Sequence, residues 1–164
     1  MIARDVMNPG AVCCRPDTNV AAAVELMWKH NCGILPVVGA NGKLQGVVTD
    51  RDICIAMGTR NRLPGEITIG EIATKNVFTC GPDDEIHQAL LTIAEQKVRR
   101  LPVVDERGVP VGILSLDDVL THADQNKWEG CCELPSEDVI RAFKRLRGWQ
   151  LPLPNIKTVS AHAA

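Results

Sequence analysis

Gly46-Val47-Val48-Thr49-Asp50-Arg51-Asp52 returns 66 positions later as Gly112-Ile113-Leu114-Ser115-Leu116-Asp117-Asp118. Both copies read glycine, two apolar residues, a hydroxyl residue, two variable residues and aspartate. An apolar run ending in Thr or Ser predicts a strand feeding a helix, with the hydroxyl as N-cap. The aspartate then falls in the first helical turn. A hydroxyl, a carboxylate and free backbone N–H groups gather at one helix N-terminus, a setting that suits a sugar and a phosphate. The same Thr-x-x-Asp spacing is also a capping box, which needs no ligand. The rest of the chain has to decide between the two.

The repetition extends well beyond the motif. Residues 5–53 align with 71–119 without a gap, and 11 of 49 positions are identical, among them Leu35-Pro36-Val37-Val38 with Leu101-Pro102-Val103-Val104. Elsewhere the classes match: Val20 with Ile86, Val24 with Leu90, Met27 with Ile93, Thr49 with Ser115. An internal repeat defines a supersecondary unit. Within it, Ala11–Cys14 or Val77–Cys80 reads as a short extended segment. Pro16-Asp17-Thr18 or Pro82-Asp83-Asp84 reads as a helix start. Val20, Ala23, Val24 and Met27 follow helical spacing, as do Ile86, Ala89, Leu90 and Ile93. Asn31-Cys32-Gly33 ends the first helix. Leu-Pro-Val-Val is a buried strand whose proline must avoid a paired N–H. Asn41-Gly42 and Arg107-Gly108 turn the chain into a second strand, Leu44–Val48 or Val111–Leu114. A second helix begins at Asp50 or Leu116.

The predicted fold is α/β (α+β): two β-α-β-β-α units, each too small to bury a full core alone, packed as a pseudo-two-fold pair. Repeat 1 covers residues 3–57, a Gly- and Pro-bearing linker 58–70, repeat 2 71–123, and a C-terminal extension 124–164. Within the extension a helix is expected over 136–147, with Val139, Ile140, Phe143 and Leu146 as an apolar stripe and Arg141, Lys144, Arg145 and Arg147 around it. Residues 151–154 and beyond read as extended or disordered.

Composition narrows the function. Of the 164 residues, 45% are hydrophobic and 23% charged, and the net charge of −2 asks for neither nucleic acid nor an acidic membrane. Aromatic content is 3% with no Tyr, so the core is aliphatic and aromatic stacking on a base is scarce. No signal or bilayer-spanning stretch is visible, which makes the cytoplasm the expected location. Seven cysteines, an odd count outside a secretory context, argue against a disulfide framework. The adjacent pairs Cys13-Cys14 and Cys131-Cys132 lack the spacing of zinc ligands, and no metal is expected.

The tandem Leu-Pro-Val-Val, the turn glycines Gly42 and Gly108, and the twofold Gly-x-x-[Ser/Thr]-x-x-Asp together resemble the cystathionine β-synthase (CBS) domain, and the pair resembles a Bateman module, here of the stand-alone bacterial or archaeal type. The resemblance spans about residues 3–123. It implies a non-catalytic regulatory module, often a homodimer, that binds AMP, ADP, ATP or a related adenosyl ligand such as S-adenosylmethionine or NAD. No cofactor is required. In that family the Ser/Thr meets phosphate and the Asp meets the ribose hydroxyls, while adenine lies among residues of the other repeat. Carried over, cleft A combines Thr49, Arg51 and Asp52 with Val77, Phe78, Val98, Arg99, Arg100 and Pro102. Cleft B combines Ser115 and Asp118 with Ala11, Val12, Cys32, Gly33, Ile34 and Pro36. Three guanidinium groups favour cleft A for a di- or triphosphate. Cleft B, with Cys32-Gly33-Ile34 in place of charge, is expected to be the weaker.

Catalysis is not expected: the histidines at 30, 87, 122 and 162 are scattered, and no Walker, zinc or nucleophile-elbow motif occurs. A structural or interaction module would bind an unknown protein partner through the helix at 136–147. Nucleic acid is disfavoured because no basic surface extends beyond that helix.

Overall fold

The computed structural model describes residues 1–123 and 134–146. In chain order it runs α1 (Ala3–Val6), β1 (Asn8–Pro9), α2 (Val20–Lys29), β2 (Ile34–Val38), β3 (Leu44–Thr49), α3 (Asp50–Thr59), a 3-10 turn (Pro64–Glu66), α4 (Ile69–Ile72), α5 (Ile86–Gln96), β4 (Arg100–Val104), β5 (Pro110–Ser115), α6 (Leu116–Ala123) and α7 (Ser136–Leu146). The segment from residue 151 onward, expected to be extended or disordered, the Cys131-Cys132 pair and Arg147 lie outside the described residues.

The first long helix of each repeat starts later than the Pro-Asp signal suggests. Asn19 is the N-cap of α2, its side chain accepting from the Ala22 N–H at 2.9 Å. The Pro-Asp segment instead forms a turn: the Arg15 N–H donates to Thr18 Oγ1 at 3.0 Å, and in repeat 2 the Gly81 N–H donates to Asp84 Oδ2 at 2.7 Å. Side-chain acceptors here hold a turn rather than a helix. The extended segments before these turns form single bridges and not strands, Cys14 to Val37 and Cys80 to Val103, both parallel.

β2 and β3 pair antiparallel, as do β4 and β5. Pro36 fits because its nitrogen faces away from β3. The Pro36 carbonyl accepts from the Cys14 N–H at 3.0 Å and the Val38 N–H donates to the Cys14 carbonyl at 2.9 Å, so even-numbered amides of β2 point to the Cys14 segment. No ladder bond is lost to proline. Gly42 and Gly108, at φ +76 and +79, turn the two hairpins where a side chain would be strained.

Each core is completed by the segment that leads into the other repeat. Ala3 and Val6 of α1 are buried with Ile86, Ala89, Ile93, Leu101, Leu114 and Val119 of repeat 2. β1 adds to the repeat 2 sheet, pairing Asn8 with Ile113 and Pro9 with Gly112. Reciprocally, Ile67 and Ile69 are fully buried among Val20, Ala23, Leu35 and Val48 of repeat 1, and Thr74 and Val47 exchange two backbone bonds of 2.9 Å. This crossing explains the motif glycines. A Cβ at Gly46 would stand 2.9 Å from the Thr74 carbonyl oxygen, and one at Gly112 would stand 2.8 Å from that of Asn8.

α7 packs on α5 and α6. Val139 and Ala142, with Leu134 before the helix, join the repeat 2 core, while Ile140 and Phe143 of the expected stripe stay largely exposed. Among the described residues no helix is long and apolar enough to cross a membrane.

Candidate functional site

At the junction of β3 and α3, Thr49 caps the helix. The Asp52 N–H donates to Thr49 Oγ1 at 3.2 Å, while the Thr49 N–H and Thr49 Oγ1 both donate to Asp52 Oδ2, at 2.9 and 2.7 Å. β5 and α6 repeat the arrangement. The Asp118 N–H donates to Ser115 Oγ at 3.1 Å, and the Ser115 N–H and Oγ donate to Asp118 Oδ2 at 3.0 and 2.5 Å. The capping box is therefore formed in both repeats. In each it uses one carboxylate oxygen. The second oxygen of Asp52 and of Asp118 has no hydrogen-bond partner among the described residues, and each aspartate lines a cleft between the repeats. Cap and ligand contact are thus compatible in one side chain.

All nine residues expected for cleft A line one cavity of about 470 Å³: Thr49, Arg51, Asp52, Val77, Phe78, Val98, Arg99, Arg100 and Pro102. Ile34, Val47, Asp50, Thr74, Asn76 and Lys97 complete it. Four cations, Arg51, Lys97, Arg99 and Arg100, face two carboxylates, Asp50 and Asp52. Arg99 stands 4.0 Å from Asp117 at the surface. Lys97, at the left-handed C-cap of α5 with φ +55, is a cation that the motif comparison missed. Helix C-caps favour Gly or Asn, so a lysine there is a departure that could have signalled it.

Cleft B is a cavity of about 310 Å³ that brings together Ala11, Val12, Cys32, Gly33, Ile34, Ser115 and Asp118. Pro36 is not part of its lining: it is buried, its carbonyl committed to Cys14. Asn8, Pro9, Gly10, His30, Asn31, Arg100 and Ile113 complete the wall. Most of these could have been found by shifting the cleft A lining through the repeat, since Asn8, Asn31 and Ile113 correspond to Thr74, Lys97 and Val47. The expectation that cleft B lacks charge is corrected by Arg100, which reaches it from β4.

Burial raises the thiols of Cys13 and Cys32, and pushes those of Cys14 and Cys80 up to about 11. These are neutral thiols in the apolar interior or at its margin. Among the described residues no three His, Cys, Asp or Glu side chains are grouped to hold a metal ion.

Comparison with known proteins agrees with this architecture. The CBS domain profile matches residues 3–58 and 69–124. Hypoxic response protein 1 of Mycobacterium tuberculosis is 34% identical over 124 residues, covering 76% of this chain and 86% of that protein. Its crystal structure, with two coordinated zinc ions, superposes with a TM-score of 0.67 over 74% of this chain and 98% of that one. The CBS domain pair of protein MJ0100, in complex with 5′-methylthioadenosine and S-adenosyl-L-methionine, is 27% identical with a TM-score of 0.68 over 74% of this chain and 98% of that one. CBSX2 in complex with AMP is 30% identical with a TM-score of 0.66, covering 77% and 98%.

Proposed function

Because this chain belongs to the CBS domain family, we propose that it is a non-catalytic regulatory module that binds an adenine nucleotide between its two repeats. AMP, ADP or ATP is the expected ligand, with cleft A the tighter site. One observation carries this reading. Residues from two sequence regions, the motif at 49–52 and the segments 77–78 and 98–102, surround one open cavity with an unoccupied carboxylate oxygen and four cations. An ionised carboxylate can accept from both ribose hydroxyls, and arginines can meet phosphate in bidentate fashion. The adenosyl ligands of MJ0100 and CBSX2 lend support from two relatives.

Ligand at the seam would bias how the repeats pack, and so what surface the module presents. A homodimer in the cytoplasm is the assembly we favour. Support comes from α2 and α3, where Trp28, Val24 and Ile55 are exposed, Trp28 at 87%. α7 covers the corresponding face of repeat 2, which leaves less of its apolar stripe to dock a separate protein.

Calorimetric and thermal-shift titration with AMP, ADP, ATP, NAD and S-adenosylmethionine tests the assignment. Saturable binding that Asp52→Asn weakens supports it. Failure of all five to bind below millimolar concentration overturns it, whatever the state of assembly measured by sedimentation.

A further inference from the structure

Ile34 and Arg100 occupy the same position in the two repeats, and each lines both clefts. They form the septum between the sites. The pseudo-two-fold relation would allow two identical residues here, but the sequence supplies one aliphatic side chain and one guanidinium. Ile34 is buried, whereas Arg100 is half-buried and has no hydrogen-bond or ion-pair partner among the described residues. The guanidinium lies beside Gly33 of the cleft B wall, where an added Cβ would stand 3.7 Å from Arg100 Nη1 and 3.0 Å from Asp50 Oδ2.

The two clefts depend on this cation unequally. Cleft A has Arg51, Lys97 and Arg99 besides Arg100, so a phosphate there finds other partners. In cleft B, among the described residues, Arg100 is the one permanently charged cation in the lining, and His30 the only other basic side chain. A guanidinium bound in bidentate fashion to one phosphate cannot offer the same donors to a second.

Building on the two-cleft reading, we infer that Arg100 is a shared phosphate ligand that couples the sites negatively. A nucleotide phosphate in cleft A draws the guanidinium from cleft B, and filling cleft B with a phosphate-bearing ligand weakens cleft A to the same degree, as linkage requires. Adenosine, which carries no phosphate, escapes the penalty. The module then holds one phosphorylated ligand firmly, and accepts a second adenosyl group most readily when that group is uncharged.

Calorimetry on the full chain with AMP and adenosine decides this. Asp52→Asn disables cleft A, so its remaining AMP site reports cleft B with Arg100 available. The second AMP on the wild-type chain should bind about tenfold more weakly than this, or not measurably. Arg100→Met should erase the gap and Arg100→Lys should retain part of it, while adenosine titrated into the wild-type chain should show no such gap. Equal affinity of cleft B with cleft A filled or disabled overturns the coupling. So does a gap that survives Arg100→Met, or an Asp52→Asn chain that binds no AMP while the wild type binds it. Absence of AMP binding to every chain removes this inference together with the proposed function, whereas the other failures leave that function standing.

Discussion

Thr49 Oγ1 donates to Asp52 Oδ2 at 2.7 Å, and this one oxygen also takes the Thr49 N–H. The carboxylate is thereby oriented by the helix it helps to start, and the residue lines the cleft. Structural and binding roles of the motif can be separated by mutation. Thr49→Ala removes a cap and should lower stability by about 1 kcal/mol, visible as a fall in Tm of roughly 2–4 °C for a chain of this size. Asp52→Asn retains a polar side chain at the helix start and should change Tm less, yet weaken AMP about tenfold or more. A larger effect of Asp52→Asn on Tm than on AMP affinity would reduce the motif to a cap.

Ile67 and Leu63 test the role of the inter-repeat segment. Both lie in the stretch read as a linker, but Ile67 is 0% exposed and Leu63 68%. Ile67→Ala should cost about 2–5 kcal/mol in urea unfolding. Leu63→Ala should stay within about 0.5 kcal/mol of wild type. Similar values for the two would deny that this segment belongs to the repeat 1 core.

Acid sensitivity should trace in part to Glu71. Acceptance from the Thr68 N–H, then from Arg62, lowers its carboxyl from 4.5 to about 2. Arg60 and Arg62 approach it at 3.2 and 2.8 Å. A carboxylate more acidic in the folded chain stabilises it above the unfolded pKa, and that contribution disappears as pH falls toward about 2. Glu71→Gln should flatten the decline in stability below about pH 4.5. Parallel declines for the two chains would remove Glu71 from the account.

Thiol chemistry offers a map of the interior. Cys54 is exposed, whereas Cys14 and Cys80 are buried with thiols near 11. Alkylation at pH 8 followed by peptide mass analysis should label Cys54 first among the described cysteines, with Cys14 and Cys80 protected until the chain unfolds. Early labelling of Cys80 would contradict the packing of Ala3 and Val6 over repeat 2.

Local signals carried far. The repeat located β2 to α3 and β4 to α6, because turn glycines, Leu-Pro-Val-Val and the hydroxyl cap are all short-range features. The cleft A lining followed from the resemblance, applied through that register. The helix starts are less legible because Pro-Asp competes with Asn19 as a beginning, and only three-dimensional context decides which hydroxyl or amide caps. The exchange of leading segments is invisible for a different reason: Ala3 with Asp84, or Ile67 with Val20, are backbone contacts that no periodicity records. Arg100 showed its charge in the sequence but not its second cleft, which depends on its place at the axis relating the repeats.

Residues 8 and 9 emerge from the ribosome more than a hundred residues before their β-sheet neighbours, Gly112 and Ile113. Their docking must wait until most of the chain has been synthesised, which makes it a late, long-range closure of the kind that slows folding. Because those same residues wall cleft B, a nascent protein acquires that pocket at the very end of its assembly, after α3 and its cap can already be in place.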